Sequence, residues 1–384
     1  MNRSRVLFQL DQWNKVLPRV EPFYAVKSNP NQVVLDTLLS QNVKFDCASL
    51  REVSEVKGRE WPGHRYDRRI LYAHPLKSEN DIRMINAMNI QTTVVDSVEE
   101  CVKLKQHGWK GSAFLRVAVG DKASKMPFSI KFGATRGEIT DIAKSSKIPL
   151  TGVSFHVGSG CGDPRQYDDA IRYSAGYVFD ILQQYGHKPR VIDIGGGFSA
   201  EQDEFHKTAQ VIGESLKTIP DYTKIIAEPG RYFAQPSQDL FVKVIAKKPG
   251  LTGWRYVIDE SLYGHFSCIP FDHQTPAWFR VPELKDDKQR ERSNAILFGR
   301  TCDSLDVIAR GEMESLEVGD WLYFPLMGAY TSATASEFNG FPKPHSMEDT
   351  QNILPMAEYA YGITRNFHET HLLKYSNVLA PIVL

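Results

Sequence analysis

Eight short runs rich in β-branched and aromatic residues recur along the first ~230 residues, separated by stretches whose apolar residues repeat at helical spacing. This alternation constrains the fold more than any other feature of the chain. The runs are PFYAV (22–26), VKFDC (43–47), ILYA (70–73), QTTVV (91–95), AFLRVAV (113–119), GVSFHV (152–157), RVIDI (190–194) and KIIAE (224–228). Between them lie NQVVLDTLLSQ (31–41), SVEECVKLKQ (97–106), GEITDIAKSS (137–146) and DDAIRYSAGYVFDILQQY (168–185). Strict alternation implies parallel strands joined by crossovers, and eight such units predict a (β/α)8 barrel of the TIM type.

The rhythm changes after AEPGRYF (227–233). LFVKVIAKK (240–248), WRYVID (254–259), NAILFG (294–299) and DWLYFP (320–325) read as strands separated by Gly, Pro and charged loops, without long helices between them. The expected division is an α/β barrel over 9–233 and a C-terminal, mainly antiparallel β domain over 234–384 that also takes residues 1–8. The charged stretch ELKDDKQRERSN (283–294) reads as a solvated loop.

Charge and cysteine content narrow the partners. The 46 basic and 46 acidic side chains cancel, so no global field favours nucleic acid or an anionic membrane, and a small-molecule substrate is expected. Cys47, Cys101, Cys161, Cys268 and Cys302 are far apart, without Cys-x-x-Cys pairs or histidines at zinc spacing, which predicts reduced thiols and no metal site. The N-terminus MNRSRVLFQLDQW has no continuous apolar segment, and no stretch approaches the ~20 apolar residues of a membrane span, so a cytoplasmic protein is expected.

In barrels of this type the reacting groups sit at the C-terminal ends of the strands. Those positions hold Lys27, Asp46, His74, Asp96, Arg116, His156, Gly195, Gly196 and Gly197, and then Glu228, Gly230 and Arg231. A lysine at a strand end usually just points into water, and three consecutive glycines can mark no more than a tight turn. Two glycine loops after strands seven and eight are stronger evidence, because backbone N–H groups there often close on a phosphate, and Arg231 adds charged donors. A phosphate site with a strand-end lysine points to pyridoxal phosphate, whose aldehyde condenses with a lysine amine. A carboxylate at the ring nitrogen favours carbanion chemistry at the substrate Cα, and Glu228 is placed for that role.

With PFYAVKSNP, FDCAS, FHVGSG, DIGGGF, AEPGRYF, DHQTP, CDSLD, GDWLYFPLMGAYT and FNGF in order over residues 6–341, the chain resembles the eukaryotic-type ornithine decarboxylases, fold type III (alanine-racemase-like) pyridoxal phosphate enzymes. The resemblance implies that Lys27 carries the cofactor and that His156 stacks on its ring. It implies phosphate contacts from Ser159, Gly197, Gly230, Arg231 and Tyr330, with Gly196 in the same loop. Asp46, Glu52 and Arg116 would support the site, and Glu228 would pair with the ring nitrogen. Cys302 and Asp303 match residues that reach the active site from the neighbouring subunit of a homodimer, Cys302 as the acid that protonates Cα. Asp272 and Asp303 match the carboxylates that hold ornithine's distal ammonium, and Tyr263 and Phe338 match the pocket walls. Lysine, one methylene longer, is an expected weak alternative.

The sequence also departs from that family. Only 21 residues precede Pro22 where members commonly have a longer segment that adds a strand to the β domain. Arg300 and Ser304 stand where Pro and Gly are common, and the tail after Phe341 has no match. These changes leave open a relative acting on a modified diamino acid. A non-catalytic regulatory homologue would be expected to lose the cofactor residues that this chain keeps. A racemase of the same fold would favour an arginine at the ring nitrogen and a tyrosine on the partner loop.

Overall fold

All eight expected strands form, and they close into one parallel barrel. The computed structural model describes residues 1–58, 69–120, 124–126, 129–251, 253–281 and 290–348; most of the charged 283–294 stretch and the tail beyond 348 lie outside them. The barrel strands are β1 (Val20–Ala25), β2 (Lys44–Cys47), β3 (Ile70–Tyr72), β4 (Thr92–Val95), β5 (Ser112–Arg116), β6 (Leu150–Ser154), β7 (Val191–Asp193) and β8 (Lys224–Ala227). Each pairs in parallel with its sequence neighbours, and β1 pairs with β8 at Val20↔Ile225 to close the ring. Phe23, Leu71, Val94, Phe114 and Ile226, contributed by five of these strands, form a buried cluster that fills the interior.

The intervening helices begin at polar caps. Asn31 accepts from Val33 N, Ser97 from Glu100 N, and Ser78 forms a reciprocal capping box with Asp81. The expected helix 168–185 is interrupted: Arg165–Tyr173 passes through a π turn at Ser174–Val178 into Phe179–Gln184. That extra residue per turn leaves Tyr173 and Tyr177 stacked at 5.5 Å, with Arg136 lying 4.4 Å from the Tyr177 ring centroid.

Residues Arg3–Val16 form a helix that the sequence reading did not anticipate. Its buried Val6, Leu10, Trp13 and the following Leu17 repeat at helical spacing. Trp13 anchors it, with its ring 4.8 Å from Phe198, 5.6 Å from Phe205 and 5.3 Å from Tyr232, and its Nε1–H donating to Val20 O.

The chain divides into two compact units, Leu7–Phe233 and Met1–Val6 with Ala234–Leu384. The second unit is a six-stranded sheet of β9 (Leu240–Pro249), β10 (Trp254–Ile258), β11 (Phe279–Arg280), β12 (Arg292–Phe298), β13 (Val307–Glu314) and β14 (Trp321–Phe324). They lie in the order β11-β14-β9-β10-β12-β13. Four neighbouring pairs are antiparallel, and β10 with β12 is parallel. The core is aliphatic and aromatic, with Val242, Val244, Tyr256, Ile258, Phe266, Leu297, Leu322 and Phe324 all buried. Within this unit Arg5, 1% exposed, donates to Pro236 O and pairs with Asp239 at 3.0 Å. Among the described residues no helix is long and apolar enough to cross a membrane.

Candidate active site

The C-terminal mouth of the barrel gathers the polar residues expected there. Lys27 follows β1 in a single 3-10 turn, Val26–Ser28, and is the one exposed side chain between Pro22 and Asn29. Its Nζ stands 3.6 Å from Asp46 Oδ2 on β2, an ion-pair distance too long for a good hydrogen bond. Both Asp46 oxygens are buried without a hydrogen-bond partner. Burial raises the Asp46 pKa, and Lys27 works against that rise. Glu52 accepts from Ala48 N at 2.7 Å, and burial raises its pKa as well.

A cluster of acids, Asp46 and Asp193 buried and Asp96 and Glu228 partly so, faces Arg116 at the end of β5. Glu228, Asp96, Asp193 and Asp46 all act on its guanidinium, whose pKa burial depresses. Glu228 has a carboxyl pKa held well above the usual range by burial and by the neighbouring Asp193 and Asp46 charges. Its Oε1 is buried without a partner. Asp193 ends β7, accepts from Gly195 N at 2.9 Å and from Ser154 Oγ at 3.1 Å, and is hydrogen-bonded to Glu228. Burial pushes its pKa up to about 6. No role had been assigned to Asp193 from the sequence, although it is the first residue of DIGGGF. A polar residue that closes a strand with its side chain inside the barrel was the available signal.

This carboxyl pair is expected to make the cofactor-free protein pH-sensitive. A carboxyl whose pKa rises on folding keeps its proton in the folded state where the unfolded chain has released it, so stability is greatest in acid and declines as pH climbs through about 6. The melting temperature of the stripped protein is expected to fall as pH rises from about 4 to about 6.5, between the ordinary carboxyl value and the folded one. Asp193→Asn is expected to flatten that slope, a change on the order of 2 kcal/mol, measurable by calorimetry.

His156 lies two residues past β6. Its Nδ1 accepts from Gly158 N at 2.9 Å, which fixes the neutral tautomer with hydrogen on Nε2. Burial, Arg116 and Lys27 hold its pKa well below the ordinary value, so the ring stays uncharged. The DIGGGF loop passes against this ring. A Cβ on Gly196 would come within 2.9 Å of His156 Nε2 and 2.8 Å of Glu228 O. Gly197 has φ +104°, and a Cβ there would meet Gly158 O at 2.6 Å. Tyr167 OH, buried beneath the loop, donates to Gly196 O at 2.7 Å. Gly230 packs against Ser28, and Arg231 Nη2 donates to Ser159 Oγ at 3.3 Å.

The remaining expected residues lie in the second unit, where four of them cluster. Tyr263 OH donates to Asp303 Oδ2, and the Tyr263 and Phe338 rings stack at 4.2 Å. The Tyr263 bond lowers the pKa of Asp303 and keeps it ionised. Cys302 is an exposed thiol, and its backbone N donates to Asn339 Oδ1 at 3.0 Å. All five cysteines are free. Asp306, fully buried, staples this loop: Thr301 N, Thr301 Oγ1 and Leu262 N all donate to its carboxylate. Asp272, 6% exposed, ends the short helix Cys268–Asp272. Tyr330 has a left-handed backbone, φ +54°, in a turn tied by Thr334 Oγ1 to Ser267 Oγ at 2.7 Å.

The barrel mouth therefore offers an approachable amine, a neutral ring beside a backbone lined by glycine, an arginine donating to a serine hydroxyl and a carboxyl with one buried oxygen unpartnered. Those features fit pyridoxal phosphate: the free Glu228 oxygen suits a ring N–H donor, and side chains at Gly196 or Gly197 would fill the cradle. Fold and site together define a barrel enzyme of pyridoxal phosphate chemistry. Comparison with known proteins is consistent. Residues 3–235 match the family model "Pyridoxal-dependent decarboxylase, pyridoxal binding domain", and the chain belongs to the pyridoxal-dependent decarboxylases. It is similar to ornithine decarboxylase of Schizosaccharomyces pombe, 41% identical over 349 residues covering 87% of this chain and 78% of the relative. Ornithine decarboxylase of Panagrellus redivivus is 37% identical over 372 residues, 90% of this chain and 83% of the relative. Among solved structures, the arginine decarboxylase of Paramecium bursaria Chlorella virus superposes with a TM-score of 0.84 at 34% identity, covering 90% of this chain and 94% of that one. The protein is a decarboxylase that uses pyridoxal phosphate.

Proposed function

We propose that the protein decarboxylates L-ornithine to putrescine and carbon dioxide, a step of polyamine synthesis. The observation that carries the substrate is Asp303, ionised, bonded to Tyr263 and flanked by the stacked Tyr263–Phe338 pair. A carboxylate beside apolar walls suits a short aliphatic chain ending in an ammonium, since burying that charge unpaired is costly. Asp272 supplies the second carboxylate. Arginine decarboxylation would require room for a planar guanidinium instead.

Lys27 would hold the cofactor's aldehyde carbon, Glu228 its ring nitrogen, His156 one ring face, and Ser159, Gly196, Gly197, Gly230, Arg231 and Tyr330 its phosphate. Bound pyridoxal phosphate supplies the electron sink for the pair released as carbon dioxide leaves the substrate. Glu228, whose environment keeps its own proton on in the absence of cofactor, would give that proton to the ring nitrogen and pair with it as the carboxylate, with Asp193 hydrogen-bonded to its other side. Arg116 balances the acids around it, and Asp46 would steady Lys27 as an ammonium whenever its amine is free of the cofactor. The neutral His156 offers a ring face without adding positive charge. Cys302 gives its proton to the substrate Cα after carbon dioxide departs. We assign Cys302 and Asp303 to the neighbouring protomer's site, so that a homodimer is the complete enzyme, and place the protein in the cytoplasm.

Amine and carbon dioxide release measured across L-ornithine, L-lysine, L-arginine and L-2,4-diaminobutyrate tests the substrate. Ornithine is expected to exceed lysine in kcat/KM by about tenfold or more, the usual value of one methylene. Asp272→Ala is expected to raise the KM for ornithine. Arginine as the best substrate would overturn the assignment.

A further inference from the structure

The sequence departs from its family at Arg300, and the structure gives that residue a specific occupation. Its Nη2 donates to Pro342 O at 2.7 Å, and its guanidinium carbon lies 4.5 Å from the Phe341 ring centroid. Its backbone N donates to Glu260 O at 3.1 Å. A proline here would have neither the side-chain donors nor the N–H.

Further contacts fasten the same stretch, one from Cys302 and the others from Tyr263. Asn339, in a left-handed conformation at φ +58°, receives Cys302 N; Phe338 stacks on Tyr263; and Ser336 N donates to Tyr263 O at 2.8 Å. Residues 336–342 are thus fastened at one end through Tyr263 and at the middle through Cys302. Arg300 closes the far end, two residues before the thiol. Without it, the Pro342 carbonyl would lose this donor and the Phe341 ring its stacked guanidinium, and the stretch between the Asn339 bond to Cys302 and Met347, where the N-terminal ammonium next donates to the chain, would lose a fastening.

We propose that Arg300 is a positioning residue: by clamping Phe341 and Pro342 it presents the Cys302 thiol and the Asp303 carboxylate in one conformation before substrate arrives. The gain is preorganisation, since ordering a loop beforehand removes that cost from the bound state. The catalytic consequence rests on the roles proposed above for Cys302 and Asp303; the clamp itself does not.

The test has two readouts on the holoenzyme. The first is the rate at which iodoacetamide alkylates Cys302 without substrate, mapped by mass spectrometry; the second is kcat and KM with ornithine. Arg300→Ala is expected to change the Cys302 alkylation rate about fivefold or more and to lower kcat/KM about tenfold, within the range for a displaced reacting group. Arg300→Lys, which keeps a donor but loses the planar stack, should fall between. Phe341→Leu should reproduce part of the effect, and the double variant Arg300→Ala/Phe341→Leu should be less than additive. An alkylation rate within twofold of wild type in both Arg300→Ala and Phe341→Leu would overturn the clamp, even if ornithine is turned over normally. A changed alkylation rate in the variants, together with a wild-type enzyme that releases no amine from ornithine, would uphold the clamp and overturn the substrate assignment.

Discussion

Lys27→Ala is expected to lower kcat by about 10³-fold or more, the scale of losing an essential proton-transfer or nucleophilic group. Lys27→Arg separates two explanations. If Lys27 served only as the cation opposite Asp46, 3.6 Å away, arginine would preserve the charge and much of the activity. Arginine cannot lose its proton to become a nucleophile, so a catalytic Lys27 predicts that Lys27→Arg is as inactive as Lys27→Ala. Borohydride treatment of wild type should fix the cofactor's mass to the peptide carrying Lys27, and should fix none to either variant. Because the side chain is 46% exposed and leaves no core void when truncated, both variants should melt near wild type.

Glu228→Gln is expected to lower kcat by about 10²–10³-fold with little loss of bound cofactor. The amide keeps the shape of the carboxyl and can still accept a hydrogen bond, but it carries no charge to hold a proton at the ring nitrogen. The sign of the stability change distinguishes this from a folding defect. Glu228 sits buried beside Asp193 and Asp46, which oppose its ionisation. Removing its charge should leave the cofactor-free protein as stable as wild type at pH 8, or more stable. A large drop in melting temperature would mean that Glu228 serves the fold and not the reaction.

The barrel was legible because a parallel strand buried on both faces is an uninterrupted apolar run, and because the crossovers enforce alternation. The strands of the second unit that escaped notice have a different physical character. Val307–Glu314 reads VIARGEME, with exposed Arg310, Gly311 and Glu312 diluting its apolar positions, and Phe279–Arg280 is too short to register. The N-terminal helix was hidden for another reason: Val6, Leu10 and Trp13 carry the helical period, but the segment was weighed only as a leader. In the site, Lys27, His156, Glu228 and Arg231 could be found because strand ends in a barrel are few. Asp193 could not be separated from a buried structural aspartate until its bond to Glu228 was seen. Nor does the sequence show that Asp306 holds the Cys302 loop, since its three donors come from Thr301 and from Leu262, 44 residues away.

The two margins of the six-stranded sheet also limit how the protein can associate. Among the described residues one margin, β11, offers two residues, the other, β13, carries Arg310 and Glu312, and Arg280 Nε of the first donates to Glu314 Oε2 of the second at 3.3 Å, so the sheet curls until its margins meet. Neither is a good template for an incoming strand, because a very short edge gives few backbone partners and a charged one must be desolvated to pair. Copies of this chain that meet in a crowded solution are therefore steered away from joining sheet to sheet into open-ended ribbons. Association that does occur is left to loops and side-chain surfaces, which can close on themselves and stop at a small, fixed number of copies.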